Sequence, residues 1–199
     1  MKHFYKEIQG WFDFQELYTE MVSIHDNAHF VEVGVWKGKS TCFLAVEIIN
    51  QNKNIQIDTI DNYSYLTEEY KHNKNVPKEF KKNIEPFKFI HPIYKDSVEA
   101  TRLYKDKSID FIFFDSEHTE EYATKEIEVW YPKLKIGGFI GGHDYVSFLN
   151  PNFRYIIGVG NAVNKIFNDN FKLYPGKRDN EGRIYGPSWL HKKLEKSIR

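Results

Sequence analysis

The stretch His29-Phe-Val-Glu-Val-Gly34, continuing through Val35-Trp-Lys-Gly38-Lys-Ser-Thr41 into Cys42 to Ile49, decides how the rest of the chain is read. Its first six residues are few, rich in β-branched and aromatic side chains, and closed by a glycine, which is the signature of a strand. Gly34 and Gly38 bracket a tight turn, and the apolar run from Cys42 has the composition of a helix. Strand, tight turn and helix in that order open a βαβ unit.

The same rhythm recurs toward the C-terminus. Ile55 to Asp61 reads as a second strand, followed by the polar, helix-compatible Thr67 to Ile84 with Pro77 as its expected break. Phe87 to Tyr94 is a third strand leading into a helix from Ser97 to Tyr104, capped by Asp96 or Ser97. Ile109 to Phe114 is nearly all apolar, as a strand covered on both faces should be, and ends at Asp115. After Thr119, residues Tyr122, Ala123, Ile127, Trp130, Tyr131 and Leu134 fall at helical spacing, and Gly137-Gly138 is expected to close that segment before Phe139-Ile140 opens a fifth strand. Upstream, Phe4, Ile8, Trp11, Phe12, Tyr18, Met21 and Val22 indicate a leading helix or two, interrupted at Gly10. Downstream lie a helix over Val159 to Asn168, a short strand over Phe171 to Tyr174, turns from Pro175 to Gly186, and Ser188-Trp-Leu-His191. The alternation implies right-handed crossovers and a doubly wound, mostly parallel α/β sheet with helices on both faces. One domain over 1–199 is expected: a helical segment at 1–27, a core at 28–144, and a part completing the sheet at 145–199.

Composition narrows the functions. Lys plus Arg and Asp plus Glu each number 28, so the net charge is zero and the large positive field that bulk nucleic acid or an anionic membrane requires is missing. With 41% hydrophobic and 17% aromatic residues, a substantial core is available. The single cysteine, Cys42, excludes an internal disulfide and a cysteine-based zinc site and fits a reducing compartment. No run approaches the roughly 18 apolar residues of a membrane span, and Met1 to Gly10 is polar, so a soluble, cytoplasmic protein is expected.

Open parallel sheets bind ligands at the carboxyl ends of their strands. Polar residues stand at every such end here: Gly34, Asp61, Asp96, Asp115 and His143-Asp144. Glu32 to Ser40 approaches a phosphate-binding loop, but three residues separate its glycines where four are needed, and Glu32 would repel a triphosphate. The dinucleotide pattern G-x-G-x-x-G is absent. What remains lets backbone approach a ligand at Gly34 and Gly38 and favours a positive group near Glu32, which suits a ligand carrying an ammonium and a nucleoside. Asp61, preferred over Asp58 for its place at a strand end, is positioned to accept from ribose hydroxyls. Asp96-Ser97 either reads a purine edge or caps a helix.

These residues carry a resemblance. The run Val31 to Ser40, Ile60-Asp61, Lys95-Asp96-Ser97, Ile109 to Asp115-Ser-Glu-His118-Thr-Glu-Glu-Tyr122, Trp130 to Gly138 and Gly142-His-Asp-Tyr145 resembles the class I S-adenosylmethionine-dependent methyltransferases. Within them it is similar to the subgroup with Asp-x-x-His-x-x-x-Tyr and Gly-His-Asp-Tyr strand ends, akin to macrocin-type sugar O-methyltransferases. Gly158 to Val163 and Ser188-Trp-Leu190 resemble that subgroup's tail, so the likeness spans about residues 28 to 191. The resemblance implies a seven-stranded sheet in the order 3-2-1-4-5-7-6 with the last strand antiparallel. It implies that Glu32 and Gly34, with Gly38 and Ser40 of the same loop, hold the methionine end of S-adenosylmethionine. Asp61 would bind the ribose, Asp96 and Ser97 would border the adenine, and Asp115 would lie beside the cofactor. Asn62 stands where many members carry an apolar residue, which passes base packing to Tyr63.

Methyl transfer from a sulfonium requires alignment of the acceptor and a more nucleophilic hydroxyl. Two routes are open: a divalent cation (magnesium, manganese or similar) on Asp115, His143 and Asp144, or direct base catalysis by His118 or His143 near Asp115. The expected acceptor is a small hydroxylated molecule such as a sugar, met by loops 62–86 and 145–157. Lys71, Lys74, Lys78, Lys81 and Lys82 either attract an acidic acceptor or form a solvated helix face. Trp11, Phe12 and Phe14 either pack in the core, lid the pocket or pair two subunits in a homodimer. The competing readings are a phosphotransferase with a degenerate phosphate loop and a non-catalytic cofactor-binding module.

Overall fold

A computed structural model of the chain describes residues 1–63, 75–146, 148–149, 156–177 and 186–195. After a 3-10 turn at Tyr5–Glu7 come α1 (Gln15–Ile24), β1 (Asn27–Val33), α2 (Lys39–Asn50), β2 (Asn54–Ile60), α3 (Val76–Ile84), β3 (Ile90–Ile93), α4 (Ser97–Ala100) and β4 (Ile109–Phe114). They are followed by α5 (Glu120–Trp130), β5 (Leu134–Gly142), β6 (Phe148–Leu149), β7 (Ile156–Ile157), α6 (Val159–Phe167), β8 (Lys172–Tyr174) and β9 (Ser188–Lys192). Seven strands form one sheet in the order β3-β2-β1-β4-β5-β9-β8, and β6 and β7 form a separate antiparallel ribbon. Strands β1 to β5 pair in parallel, whereas β9 runs antiparallel to both β5 and β8. With the ribbon set aside, this is the 3-2-1-4-5-7-6 order.

The two central strands divide their side chains between two cores with the period of two that a pleated strand imposes. Phe30, Phe111 and Phe113 face α1 and α2 with Leu17, Tyr18, Met21 and Leu44, whereas Val31, Val33, Ile112 and Phe114 face α5 and α6 with Ile127, Trp130, Val163 and Trp189. Each such side chain contributes about 1.5–3 kcal/mol on burial. Because helices cover both faces, polar chemistry is left to the strand ends.

Several boundaries differ from the expectation. The leading helix is only α1; Phe12 and Phe14 lie just before it in irregular chain and are buried, while Trp11 is exposed. Pro77 does not break α3 but sits in its first turn, where a missing N–H costs nothing. The third helix shortens to α4 followed by a 3-10 turn, Thr101–Leu103, and Asp96, not Ser97, supplies its cap. Gly137 and Gly138 do not precede β5 but lie within it: Gly137 has φ +83°, and the β4–β5 register shifts between Ile109 and Phe111, so the glycines mark a bulge. Lys78, Lys81 and Lys82 are exposed on α3 opposite the buried Val76, Phe80 and Ile84; Lys71 and Lys74 lie outside the described residues. Among the described residues no helix is long and apolar enough to cross a membrane.

Candidate active site

The ends of β1, β2, β4 and β5 meet around Gly34. Its φ is +81°, and its N–H donates to the Ile60 carbonyl at 2.9 Å while the Asp115 N–H donates to that of Val33 at 2.8 Å. A Cβ on Gly34 would fall 2.0 Å from the Asp115 carbonyl oxygen, so glycine is required for β1 and β4 to end side by side. Gly38, at φ +82°, faces protein as well: a Cβ there would meet the Phe80 ring at 2.9 Å. The side-chain space at both glycines is thus taken by protein.

Asp61 organises the two loops beside Gly34. Its Oδ2 accepts the N–H groups of Val35 at 3.0 Å and Trp36 at 3.1 Å, and its Oδ1 accepts that of Tyr63 at 2.8 Å. These bonds hold Trp36 and Tyr63 in left-handed backbone, φ +50° and +53°, a conformation that costs a bulky residue energy. Tyr63 is buried, with its hydroxyl donating to the Trp36 carbonyl, and Asn62 between them is exposed.

Glu32 lies beneath this loop, 2% exposed. The Tyr18 hydroxyl donates to its Oε1 at 2.9 Å and the Thr41 hydroxyl to its Oε2 at 2.6 Å. Burial raises its pKa, and the hydroxyls of Ser40, Thr41 and Tyr18 pull against that. The two lysines of the turn point elsewhere. Lys37 is buried on Gln9 Oε1 at 2.7 Å and Glu79 at 2.9 Å, and Lys39 donates to the Gly10 carbonyl at 2.9 Å.

At the β3 end, Asp96 Oδ1 accepts the Glu99 N–H and its Oδ2 the Tyr122 hydroxyl at 2.6 Å, which ties α5 to α4. Ser97 is buried and accepts from Trp130 Nε1 at 2.9 Å. Beside it lies Glu126, which sequence reading missed: it is buried on α5, accepts from the Ser116 hydroxyl at 2.8 Å, and has its pKa pushed up to about 7 by burial against the pull of Ser97 and Ser116. Glu126, Ser116, His118, His143 and Trp189 line a small pocket partly open to solvent.

At the ends of β4 and β5, carboxylates and imidazoles alternate. Asp144, at φ +52°, has its Oδ2 3.0 Å from His118 Nε2 and 3.2 Å from His143 Nδ1. His143 Nε2 is 2.8 Å from Oδ1 of Asp13, a second residue missed from sequence because it lies 130 positions away. Burial works against charge on Asp144, His118 and His143. The two imidazoles outweigh it and hold Asp144 far below the usual carboxylate range, and the carboxylates raise both histidines. Asp115 goes the other way, pushed up to about 6 by burial and by Asp144, although His143 and His118 oppose.

Three of these residues, Asp115, His118 and Asp144, offer ligand atoms within 4.8 Å of one another. That set differs from the expected one by exchanging His143 for His118. His143 itself stays close, its Nδ1 3.9 Å from Asp115 Oδ1 and 3.2 Å from Asp144 Oδ2, while its Nε2 faces Asp13.

A family profile described as a methyltransferase domain matches residues 31–145. No curated protein matches. Solved structures are similar in fold at low identity. An S-adenosylmethionine-dependent O-methyltransferase from Thermotoga maritima is 14% identical with TM-score 0.61, covering 96% of this chain and 69% of that one. Aeropyrum pernix fibrillarin bound to S-adenosyl-L-methionine is 10% identical with TM-score 0.57, covering 88% and 73%. NSun6 from Pyrococcus horikoshii is 15% identical with TM-score 0.59, covering 92% and 52%. The chain spans 45% of a further structure's length at TM-score 0.62. By the family match and the strand order of its sheet, the chain belongs to the methyltransferase domain family and has the class I S-adenosylmethionine-dependent methyltransferase fold.

Proposed function

We propose that the chain transfers the methyl group of S-adenosylmethionine to a hydroxyl of a small acceptor, a sugar or glycan unit, assisted by a divalent cation on Asp115, His118 and Asp144. The observation that carries the reading is the approach of those three ligand atoms to within 4.8 Å, with the Asp115 backbone packed against Gly34 at the end of β1. The charges at these strand ends suit a cationic cofactor: Glu32 and Asp61 are acids, and Lys37 and Lys39 are committed to Gln9, Glu79 and the Gly10 carbonyl. A triphosphate would meet the opposite of what it needs.

In this reading Glu32 and Gly34, with Gly38 and Ser40 of the same loop, orient the methionine end, Asp61 the ribose, and Asp96 and Ser97 the adenine edge, with Asn62 and Tyr63 flanking the base. A donor set of two carboxylates and an imidazole suits manganese, iron or zinc better than magnesium. The cation, when bound, lowers the acceptor hydroxyl's pKa and fixes its direction. The likeness to an O-methyltransferase of Thermotoga maritima supports oxygen as the acceptor atom. The Asp115-x-x-His118-x-x-x-Tyr122 and Gly142-His-Asp-Tyr145 strand ends, which supply the clustered acids and imidazoles, support the macrocin-type sugar subgroup.

A second reading rests on the 3.0 Å pair between His118 Nε2 and Asp144 Oδ2, an imidazole oriented by a carboxylate and able to take the acceptor proton without a cation. Labelled methyl transfer to a panel of sugars and glycosides, with manganese and after chelation, separates the two. Turnover that needs the cation and falls about 100-fold or more in Asp144→Asn supports the first; full turnover in chelator that is lost in His118→Ala supports the second.

A further inference from the structure

Asp13 stands in the irregular segment just before α1, outside the family match, yet it reaches the site from the far end of the sequence. The aromatic residues on either side of it, Phe12 and Phe14, are buried in the core, and Asp13 itself is 8% exposed. A carboxylate held out of water costs several kcal/mol unless its oxygens are satisfied. Both are: Oδ1 lies 2.8 Å from His143 Nε2, and Oδ2 accepts the Lys177 N–H at 3.0 Å. The bond to Lys177 would suffice to pin the N-terminal segment. The bond to His143 does something more, because the same imidazole meets Asp144 Oδ2 through its other nitrogen, and that oxygen also meets His118. The Phe14 ring, its centroid 5.2 Å from that of the imidazole, walls one side. A continuous row Asp13, His143, Asp144, His118 therefore joins the N-terminal segment to the β4–α5 loop.

We propose that Asp13 is a positioning residue of the active site: by holding Nε2 of His143 it sets the plane of that imidazole, and through it the directions in which Asp144 and His118 present their ligand atoms beside Asp115. The inference deepens the cation reading given above and rests on it for its consequence, though not for its geometry. Outer partners of this kind typically alter metal affinity 10- to 100-fold when removed.

The test compares the full chain with Asp13→Ala and Asp13→Asn. Manganese affinity, S-adenosylhomocysteine affinity, thermal melting and the imidazole nitrogen NMR signals of His143 and His118 are measured in each. The asparagine oxygen still accepts from Nε2, while its NH2 group faces the Lys177 N–H and loses that bond. Positioning therefore predicts that both variants melt lower, whereas Asp13→Ala alone weakens manganese about tenfold or more and moves the signals of both histidines. S-adenosylhomocysteine affinity should stay within about twofold in both. Equal manganese loss in the two variants, or His118 signals unmoved in Asp13→Ala, would overturn the proposal in favour of a purely structural tie. If Asp13→Ala does not fold, His143→Phe breaks the row at its next member, and unmoved His118 signals there overturn the proposal. If the unmutated chain binds no manganese, the cation reading fails by itself, and movement of the His118 signals decides the positioning role.

Discussion

The carbonyl oxygen of Asp115 fills the space that any side chain on Gly34 would need. A Cβ at that position would sit 2.0 Å from the oxygen and 2.5 Å from its carbon, and the backbone there has φ +81°. The clash is with backbone, so no rotamer relieves it. Gly34→Ala should therefore cost about 3 kcal/mol or more, which for a domain of this size lowers Tm by roughly 6–12 °C. Thermal melting checks this directly. A variant that melts with the parent would mean the β1 and β4 ends separate freely.

Asp61 satisfies three backbone N–H groups, those of Val35, Trp36 and Tyr63. Hydrogen bonds to a charged acceptor contribute about 1.5–3 kcal/mol each. Removing the carboxylate in Asp61→Ala should release the two loops from their left-handed turns and weaken S-adenosylhomocysteine at least about 100-fold by calorimetry. Affinity retained within a few-fold would place the ribose elsewhere.

Glu126 supplies a pH dependence. Its pKa is raised in the folded chain to about 7 from 4.5, chiefly by burial. Between those values the folded state holds a proton that the unfolded state has released, so this group's contribution makes stability fall as pH rises through that window and levels off above it. The size is on the order of 3 kcal/mol. Glu126→Gln should remove that slope, so the variant gains on the parent as pH goes from 4.5 to 7 in denaturant titrations. An unchanged difference across the window would mean that the carboxyl is ionised throughout.

Much of this was legible in the residues themselves. Ile109 to Phe114 was readable to the residue because an unbroken apolar run bounded by polar chain has one economical explanation, and the strand-end positions of Asp61, Asp96 and Asp115 followed from the alternation. The structure brings Glu32, Asp61 and Asp115 to the ends of neighbouring strands, as the pattern implied. What stayed hidden was long-range pairing. Asp13 and His143 are 130 residues apart, and nothing local to either signals the other. Glu126 resembles any other acid on an amphipathic helix until the serines at 97 and 116 are seen around it. Which of His118 and His143 meets Asp13 is likewise invisible in the residues around either. Gly137-Gly138 misled because two glycines mark a bulge as readily as a helix end.

Tyr18 links α1 to the buried Glu32 of β1. Its hydroxyl is buried and donates to Glu32 at 2.9 Å. Tyr18→Phe leaves the ring packing intact and strips one partner from a buried carboxylate, so a loss of about 1–3 kcal/mol is expected. Denaturant unfolding measures it, and a variant as stable as the parent would show that Thr41 and Ser40 satisfy Glu32 unaided.

The strand ends at Glu32, Gly34 and Asp61 as the proposed seat for a nucleoside bearing a cationic sulfur are tested most directly by calorimetric titration with S-adenosylhomocysteine beside ATP. Saturable one-to-one binding of S-adenosylhomocysteine, abolished in Asp61→Ala and tighter than any response to ATP, is the expected result. No heat with S-adenosylhomocysteine, or tighter binding of ATP, would contradict it.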